Sequence, residues 1–159
     1  MKFLSAPWRW NFISSSDKIK GCIFCKLEKR INRDTLICHI GKDFFVILNK
    51  YPYSSGHLMI VPLKHISSPE KISPGSSVEL WTLMNRSIRI LKENFSPDGF
   101  NVGMNIGGAA GAGIKEHIHL HVVPRWSGDS NFMGVIGETK VVSYDINMIY
   151  DTIKREFEG

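Results

Sequence analysis

No apolar run in this sequence approaches the roughly 18 residues that a membrane-spanning helix needs, so no membrane partner is expected. The apolar stretch near Met1-Lys2-Phe3-Leu4 is too short for a secretory leader, and a cytoplasmic location is the expectation. Cysteine is scarce. Three residues, an odd number, argue against the disulfide framework of a small secreted protein. Acidic residues are nowhere clustered in the way that holds magnesium tightly, which disfavours two-metal phosphoryl chemistry. Internal repeats and low-complexity tracts are missing, so a chain of 159 residues is expected to form one domain over 1–159. A dense basic stripe is missing too. The net charge of +5 is concentrated in residues 1–50, with ten Lys/Arg against four Asp/Glu, while the remainder carries ten against eleven. Such a bias suits a phosphate-bearing ligand or simple solvation and falls short of a nucleic-acid binder.

What the chain does have is Lys115-Glu116-His117-Ile118-His119-Leu120-His121-Val122-Val123-Pro124, with three of its six histidines in alternate register. Strict alternation predicts a half-buried strand. Side chains along a strand point to opposite faces by turns. His117, His119 and His121 are then expected on one face, and Ile118, Leu120 and Val122 in a core. At about 3.3 Å of rise per residue, histidines two apart stand ~6.6 Å from each other. That spacing allows separate roles while letting one substrate touch two rings. A His-x-His pair on a strand also offers two imidazoles to a catalytic zinc, which is the rival reading.

Ahead of this run lies an aromatic arm, residues 1–16, with Ala6-Pro7-Trp8-Arg9-Trp10-Asn11-Phe12. Rings of this kind favour packing on the body or on a partner subunit. Cys22-Ile23-Phe24-Cys25 follows, then a short helical pattern through Lys26–Ile31. The cysteine pair is read as half of a zinc site, with His65 and the strand histidines as candidate completing ligands. Cys38 is expected as a small buried hydrophobe in a strand. Thr35–Ile40, Phe44–Asn49, His57–Pro62 and Phe100–Ile106 read as further strands, and Lys140–Ser143 as a short one. The main helix is expected over about Ser77–Phe95. Ser76 is its N-cap, Glu79 closes a capping box, and Val78, Trp81, Met84, Ile88, Leu91 and Phe95 form the apolar face. Asp145 caps a closing helix through Phe157.

Before the histidines comes Gly107-Gly108-Ala109-Ala110-Gly111-Ala112-Gly113. Small residues let the backbone approach a ligand, and successive amides can form an anion nest. The run is no Walker loop, because Ile114 stands where lysine is required. A glycine loop beside a row of imidazoles points to a phosphate ester or anhydride. Neutral imidazole can attack phosphorus and form a covalent phosphoramidate, which divides one difficult displacement into two.

The run His117-Ile118-His119-Leu120-His121-Val122-Val123 resembles the signature of the histidine triad superfamily of nucleotide hydrolases and transferases. Asn49, Tyr51-Pro52-Tyr53, Gly56-His57, Asn105 and Gly107 stand in the order and spacing of that family. Ala6-Pro7-Trp8-Arg9 and Pro124-Arg125-Trp126-Ser127-Gly128-Asp129-Ser130-Asn131-Phe132 are similar to its diadenosine tetraphosphate phosphorylase-like group. The resemblance covers nearly the whole chain. It implies an α+β fold with an antiparallel sheet of about five strands, a main helix, a C-terminal helix and a homodimer. It implies that His119 is the nucleophile, that His121 contacts phosphate and leaving group, and that His57 supports the histidine network. It implies that Asn49 meets the ribose, and that Asn105 with the loop at Gly111, Ala112 and Gly113 meets phosphate oxygens. Where many members carry glutamine after the glycine matching Gly111, this chain has Ala112-Gly113, in a loop one residue longer. In zinc-bearing members the ligands match Cys22, Cys25, His65 and His117. The implied substrate is a dinucleoside polyphosphate. The alternatives are a purine nucleoside phosphoramidate and a non-catalytic nucleotide-binding module.

Overall fold

The computed structural model describes residues 21–27, 33–129 and 145–159. The aromatic arm 1–16, the end of the Lys26–Ile31 pattern, Ser130-Asn131-Phe132 and the strand expected at Lys140–Ser143 lie outside the described residues.

Five strands form one sheet in the order β1-β2-β3-β5-β4, antiparallel throughout. They are β1 (Ile37–Ile40), β2 (Phe44–Leu48), β3 (Leu58–Pro62), β4 (Gly99–Met104) and β5 (Leu120–Arg125). Among the described residues three α-helices accompany them: α1 (Ile23–Leu27), α2 (Pro74–Phe95) and α3 (Ile146–Glu158). The α+β architecture is the one the resemblance implied.

β2 and β3 are buried at every residue, so both faces of the sheet centre are covered. Cys38 is buried in β1, and desolvation pushes its thiol up to about 12, which removes it from thiolate chemistry. α3 lies along β1 and α2. Its Phe157 ring stacks on His39 at 4.9 Å between centroids, with the Arg86 guanidinium 4.9 Å from the same ring.

The main helix begins earlier than the sequence reading placed it. Ser73 is its N-cap, accepting from the Ser76 N–H at 3.1 Å, and Pro74 occupies the first turn. Proline suits that position because its missing N–H would lack a helical partner there anyway. Ser76 and Glu79 serve the β1–β2 turn instead of a capping box. The Ser76 hydroxyl donates to Asp43, and Glu79 accepts from the amides of Lys42 (2.7 Å) and Asp43 (2.9 Å). The apolar face is also rotated from expectation. Val78 is 68% exposed and Trp81 61%, while Leu80, Leu83, Ser87 and Ile90 join Met84, Leu91 and Phe95 inside. Ser87 interrupts the true apolar stripe with a polar residue, and that concealed its phase.

The histidine run also departs from expectation. Its sheet ladder starts only at Leu120, so His117, Ile118 and His119 precede the paired strand. Ile118, Leu120 and Val122 are core residues as predicted. His117 and His119, however, are buried as well, at 0% and 6% exposure, so theirs is an interior face.

After β5 the chain clasps the end of α2. Trp126 Nε1 donates to the Phe95 carbonyl at 3.2 Å, and the Ser127 amide donates to Asp98 at 2.6 Å. That bond holds the Asp98 carboxyl below its usual range. Arg125 adds bonds to Asp129 and Asn101. The run from Arg125 to Asp129 therefore has a structural task at the helix end.

Candidate active site and metal cluster

The strand order decides what meets what. β5 lies between β3 and β4, with Met59 opposite His121 and Gly103 opposite His121 on the other side. His57, immediately before β3, is thereby brought to a residue 64 positions away.

Hydrogen-bond geometry sets the tautomers along this contact. The Tyr53 amide can only donate, and it donates to His57 Nδ1 at 3.1 Å. His57 Nδ1 is therefore the unprotonated nitrogen, and Nε2 carries the proton. Nε2–H donates to His121 Nδ1 at 2.9 Å. Neutral His121 then keeps its proton on Nε2, ready to donate. Asn49 Nδ2 lies 3.4 Å from the same His57 Nδ1, while Asn49 Oδ1 accepts from the Tyr51 amide at 2.9 Å. Tyr53 also stacks on the His57 ring, centroid to centroid 4.8 Å. The sequence reading quoted Tyr53 in a motif but gave it no role.

His119 is set the opposite way. The backbone carbonyl of His117 accepts from His119 Nδ1 at 3.0 Å. A carbonyl cannot donate, so Nδ1 carries the proton and Nε2 keeps its lone pair. Burial lowers the His119 pKa from the ordinary 6.5, and the carbonyl bond opposes that shift. The result is a neutral ring with Nε2 as the basic atom. The His119 and His121 rings stand 4.7 Å apart at a steep angle, placing a lone-pair imidazole beside a donor imidazole.

His117 faces elsewhere. Its Nε2–H donates to the Pro62 carbonyl at 2.8 Å, which leaves Nδ1 free of a proton. That nitrogen lies 3.2 Å from Cys22 Sγ and 3.6 Å from Cys25 Sγ. Cys25 Sγ is 3.3 Å from His65 Nδ1. All four ligand atoms fall within 4.8 Å of one another. The Ile118 amide donates to Ile66 O at 2.7 Å and ties the two histidine segments together. A metal-bound histidine usually donates its other N–H to a carbonyl, as His117 does here. The donor set and the His117 tautomer both fit a soft, tetrahedral divalent ion. Phe24, buried between the cysteines in sequence, sets its ring edge-on to His117 and His119 at 5.4 and 5.2 Å. The signal for Phe24 was its place inside the Cys-x-x-Cys pair.

The remaining predicted residues lie in the β4–β5 connection, which leaves the sheet at the Met104–Leu120 pair beside His119. Asn105 is half-buried at its start. The loop turns through Gly107 (φ 78°) and Gly111 (φ 81°), both in the left-handed range that glycine tolerates. The Gly111 amide donates to Gly108 O at 3.0 Å, and the Ala112 amide to Gly107 O at 3.3 Å. Those two amides close the turn on itself. Ala112 is buried, Gly113 half-buried and Gly111 exposed. A separate surface hollow is lined by Lys42, Asp43, Ser73, Ser76 and Glu79, whose polar groups bond one another around the α2 N-terminus.

Replacing His57 tests the tautomer chain. His57→Phe strands the Tyr53 amide and removes the donor to His121. It is expected to cost about 1–3 kcal/mol of stability. Turnover should fall while a covalent adduct on His119 still forms. Denaturant unfolding and mass spectrometry of the intact protein check the two parts.

Comparison with known proteins bears on this geometry. A HIT domain family model matches residues 31–128. An AP-4-A phosphorylase of Mycobacterium tuberculosis is 37% identical over 147 residues, covering 87% of this chain and 75% of its own. An uncharacterized HIT-like protein of Methanocaldococcus jannaschii is 30% identical over 140 residues, covering 87% and 99%. Among solved structures, a hypothetical histidine triad nucleotide-binding protein from Sulfolobus tokodaii superposes with a TM-score of 0.69 at 25% identity, over 86% of this chain and 92% of that one. A Zn-bound histidine triad family protein from Mycobacterium smegmatis shares the fold, with a TM-score of 0.68 at 24% identity over 87% and 94%.

Proposed function

The chain belongs to the histidine triad (HIT) family of nucleotide hydrolases and transferases, and from that premise we propose that it cleaves diadenosine polyphosphates, such as diadenosine tetraphosphate, at the α-phosphate through a nucleotidyl-His119 intermediate. The observation that carries the reading is the pairing of an unprotonated His119 Nε2 with a protonated His121 Nε2 on neighbouring rings. His119 Nε2 attacks the α-phosphorus, and the bond to the bridging oxygen breaks. The departing polyphosphate takes that electron pair, while the His121 N–H hydrogen-bonds the oxygen on which charge develops. The acceptor, water or inorganic phosphate, then displaces the histidine and frees its nitrogen. His57 holds His121 in its tautomer. Asn49 serves the ribose, and Asn105 borders the phosphates with the loop at Gly111, Ala112 and Gly113, whose small residues let the backbone come close even though the Gly111 and Ala112 amides are engaged in the turn. Similarity to an AP-4-A phosphorylase supports the substrate class.

Cys22, Cys25, His65 and His117 are assigned to one zinc ion, which as a closed four-ligand site supplies structure and no open position for substrate. With His117 turned to the thiols, His119 and His121 remain for catalysis, against the rival in which those two hold a catalytic metal. The chain is read as a single domain that works in the cytoplasm as a homodimer; among the described residues no helix is long and apolar enough to cross a membrane. Exposed Trp81 and Val102 supply apolar surface for the dimer. Light scattering should return twice the chain mass, and a value near 18.0 kDa at micromolar concentration counts against the dimer.

Product analysis of diadenosine tetraphosphate decides the activity. Adenosine monophosphate with triphosphate indicates water as acceptor. Adenosine diphosphate with triphosphate, appearing only with inorganic phosphate, indicates phosphorolysis. No cleavage under either condition refutes the proposal.

A further inference from the structure

Two of the loop amides that could have met a phosphate, those of Gly111 and Ala112, are occupied by the turn's own carbonyls. A different polar group lies on this loop. The tail of Lys115 runs over Gly108. A β-carbon on Gly108 would stand 3.0 Å from Lys115 Cε and 3.3 Å from its Nζ. A side chain at position 108 would crowd the end of the lysine, which would have to give by a few tenths of an ångström. No carboxylate among the described residues forms an ion pair with Lys115, and the side chain is exposed. An exposed ammonium laid on a glycine loop is positioned for an anion that arrives from solvent.

Topology sets which part of an anion it meets. Lys115 belongs to the connection that leaves the sheet at the Met104–Leu120 pair, next to His119. On the reading proposed above, the α-phosphate sits at His119. The polyphosphate beyond it then lies within the reach that a long, flexible lysine on the adjoining loop offers. We propose that Lys115 is a specificity-determining residue that binds the polyphosphate leaving group, so that this chain favours dinucleoside polyphosphates over nucleoside phosphoramidates. The proposal rests on the nucleotide-cleavage reading. A phosphoramidate loses only an amine, which gives the ammonium no phosphate to hold, whereas diadenosine tetraphosphate loses adenosine triphosphate.

The test compares kcat/KM for diadenosine tetraphosphate and for adenosine 5′-phosphoramidate in the full-length protein, in Lys115→Met and in Lys115→Arg. Methionine keeps the aliphatic cover on Gly108 and removes only the charge. A charge-assisted hydrogen bond to a phosphate supports a loss of roughly 10- to 100-fold. The ratio of the two kcat/KM values should therefore fall by about tenfold or more in Lys115→Met, stay near wild type in Lys115→Arg, and approach the variant's value for wild type in high salt. An unchanged ratio, or an equal loss on both substrates, overturns the proposal and leaves the cleavage reading intact. Wild-type protein that fails to cleave diadenosine tetraphosphate overturns both.

Discussion

Replacing His119 by asparagine or alanine is expected to lower turnover by on the order of 10⁴ or more, while fold and nucleotide binding remain largely intact. The size follows from what the ring does. In the proposed mechanism it forms a covalent bond to phosphorus, and among the described residues of the site no other nitrogen is held unprotonated in the same place. To attack, the ring needs its other nitrogen protonated and held by an acceptor. The structure makes that acceptor the His117 carbonyl, 3.0 Å from Nδ1. That bond is made within one dipeptide repeat, so the lone pair is aimed before substrate arrives. His121→Asn should be milder, a loss of about 10²–10³, because on the proposed mechanism it removes the donor to the leaving oxygen and keeps the nucleophile. Mass spectrometry of protein quenched during turnover distinguishes the two. An adenylate adduct should appear on wild type and on His121→Asn and be absent from the His119 variants. Near-normal turnover without His119 would end the covalent mechanism.

Removing the metal ligands should produce the second-largest effect, and mainly on the fold. Cys22 precedes α1, Cys25 lies within it, His65 follows β3, and His117 precedes β5, so one ion would close three distant segments around Phe24. Structural zinc contributes on the order of 10 kcal/mol in small metal-binding peptides. Here a sheet core shares the load, and a loss of ~4 kcal/mol is expected from Cys22→Ser or Cys25→Ser, roughly 8–16 °C in Tm for a chain of this size. Elemental analysis should find one zinc per chain in the wild type and little in either variant. Turnover should fall as well. The His117 ring faces the thiols while its carbonyl holds His119, so a shifted His117 misdirects the nucleophile. Metal-free wild-type protein that is well folded and fully active would refute the assignment.

Much of this was legible in the chain. Alternation located the histidine strand, because side chains in a strand change sides at every residue whatever lies around them, and apolar runs bounded by turn residues located the other four strands of the sheet. Cys38 behaved as a buried strand cysteine for the same local reason. The helix was found but misphased, since Trp81 is large and apolar and drew the face toward itself. Its N-cap lies at Ser73, three residues before the expected Ser76, because proline is welcome in a first helical turn.

Periodicity carries no information on which ring nitrogen bears a proton or on what stands across the sheet. Histidine spacing alone allowed three equivalent rings in a row. Residue order and resemblance separated their roles, and the sequence by itself determined the family, the strand set and the candidate residues. Only tertiary structure decided that His117 turns away from its neighbours toward Cys22 and Cys25, because the Pro62 carbonyl captures its Nε2. Only the adjacency of β3 and β5 decided that His57 sets the tautomer of His121, 64 residues away. And only the folded loop decided that the Gly111 and Ala112 amides turn inward while Lys115 lies across Gly108. A hydrogen bond is settled by partners and angles in space, whereas local pattern settles only which side of the backbone a residue takes.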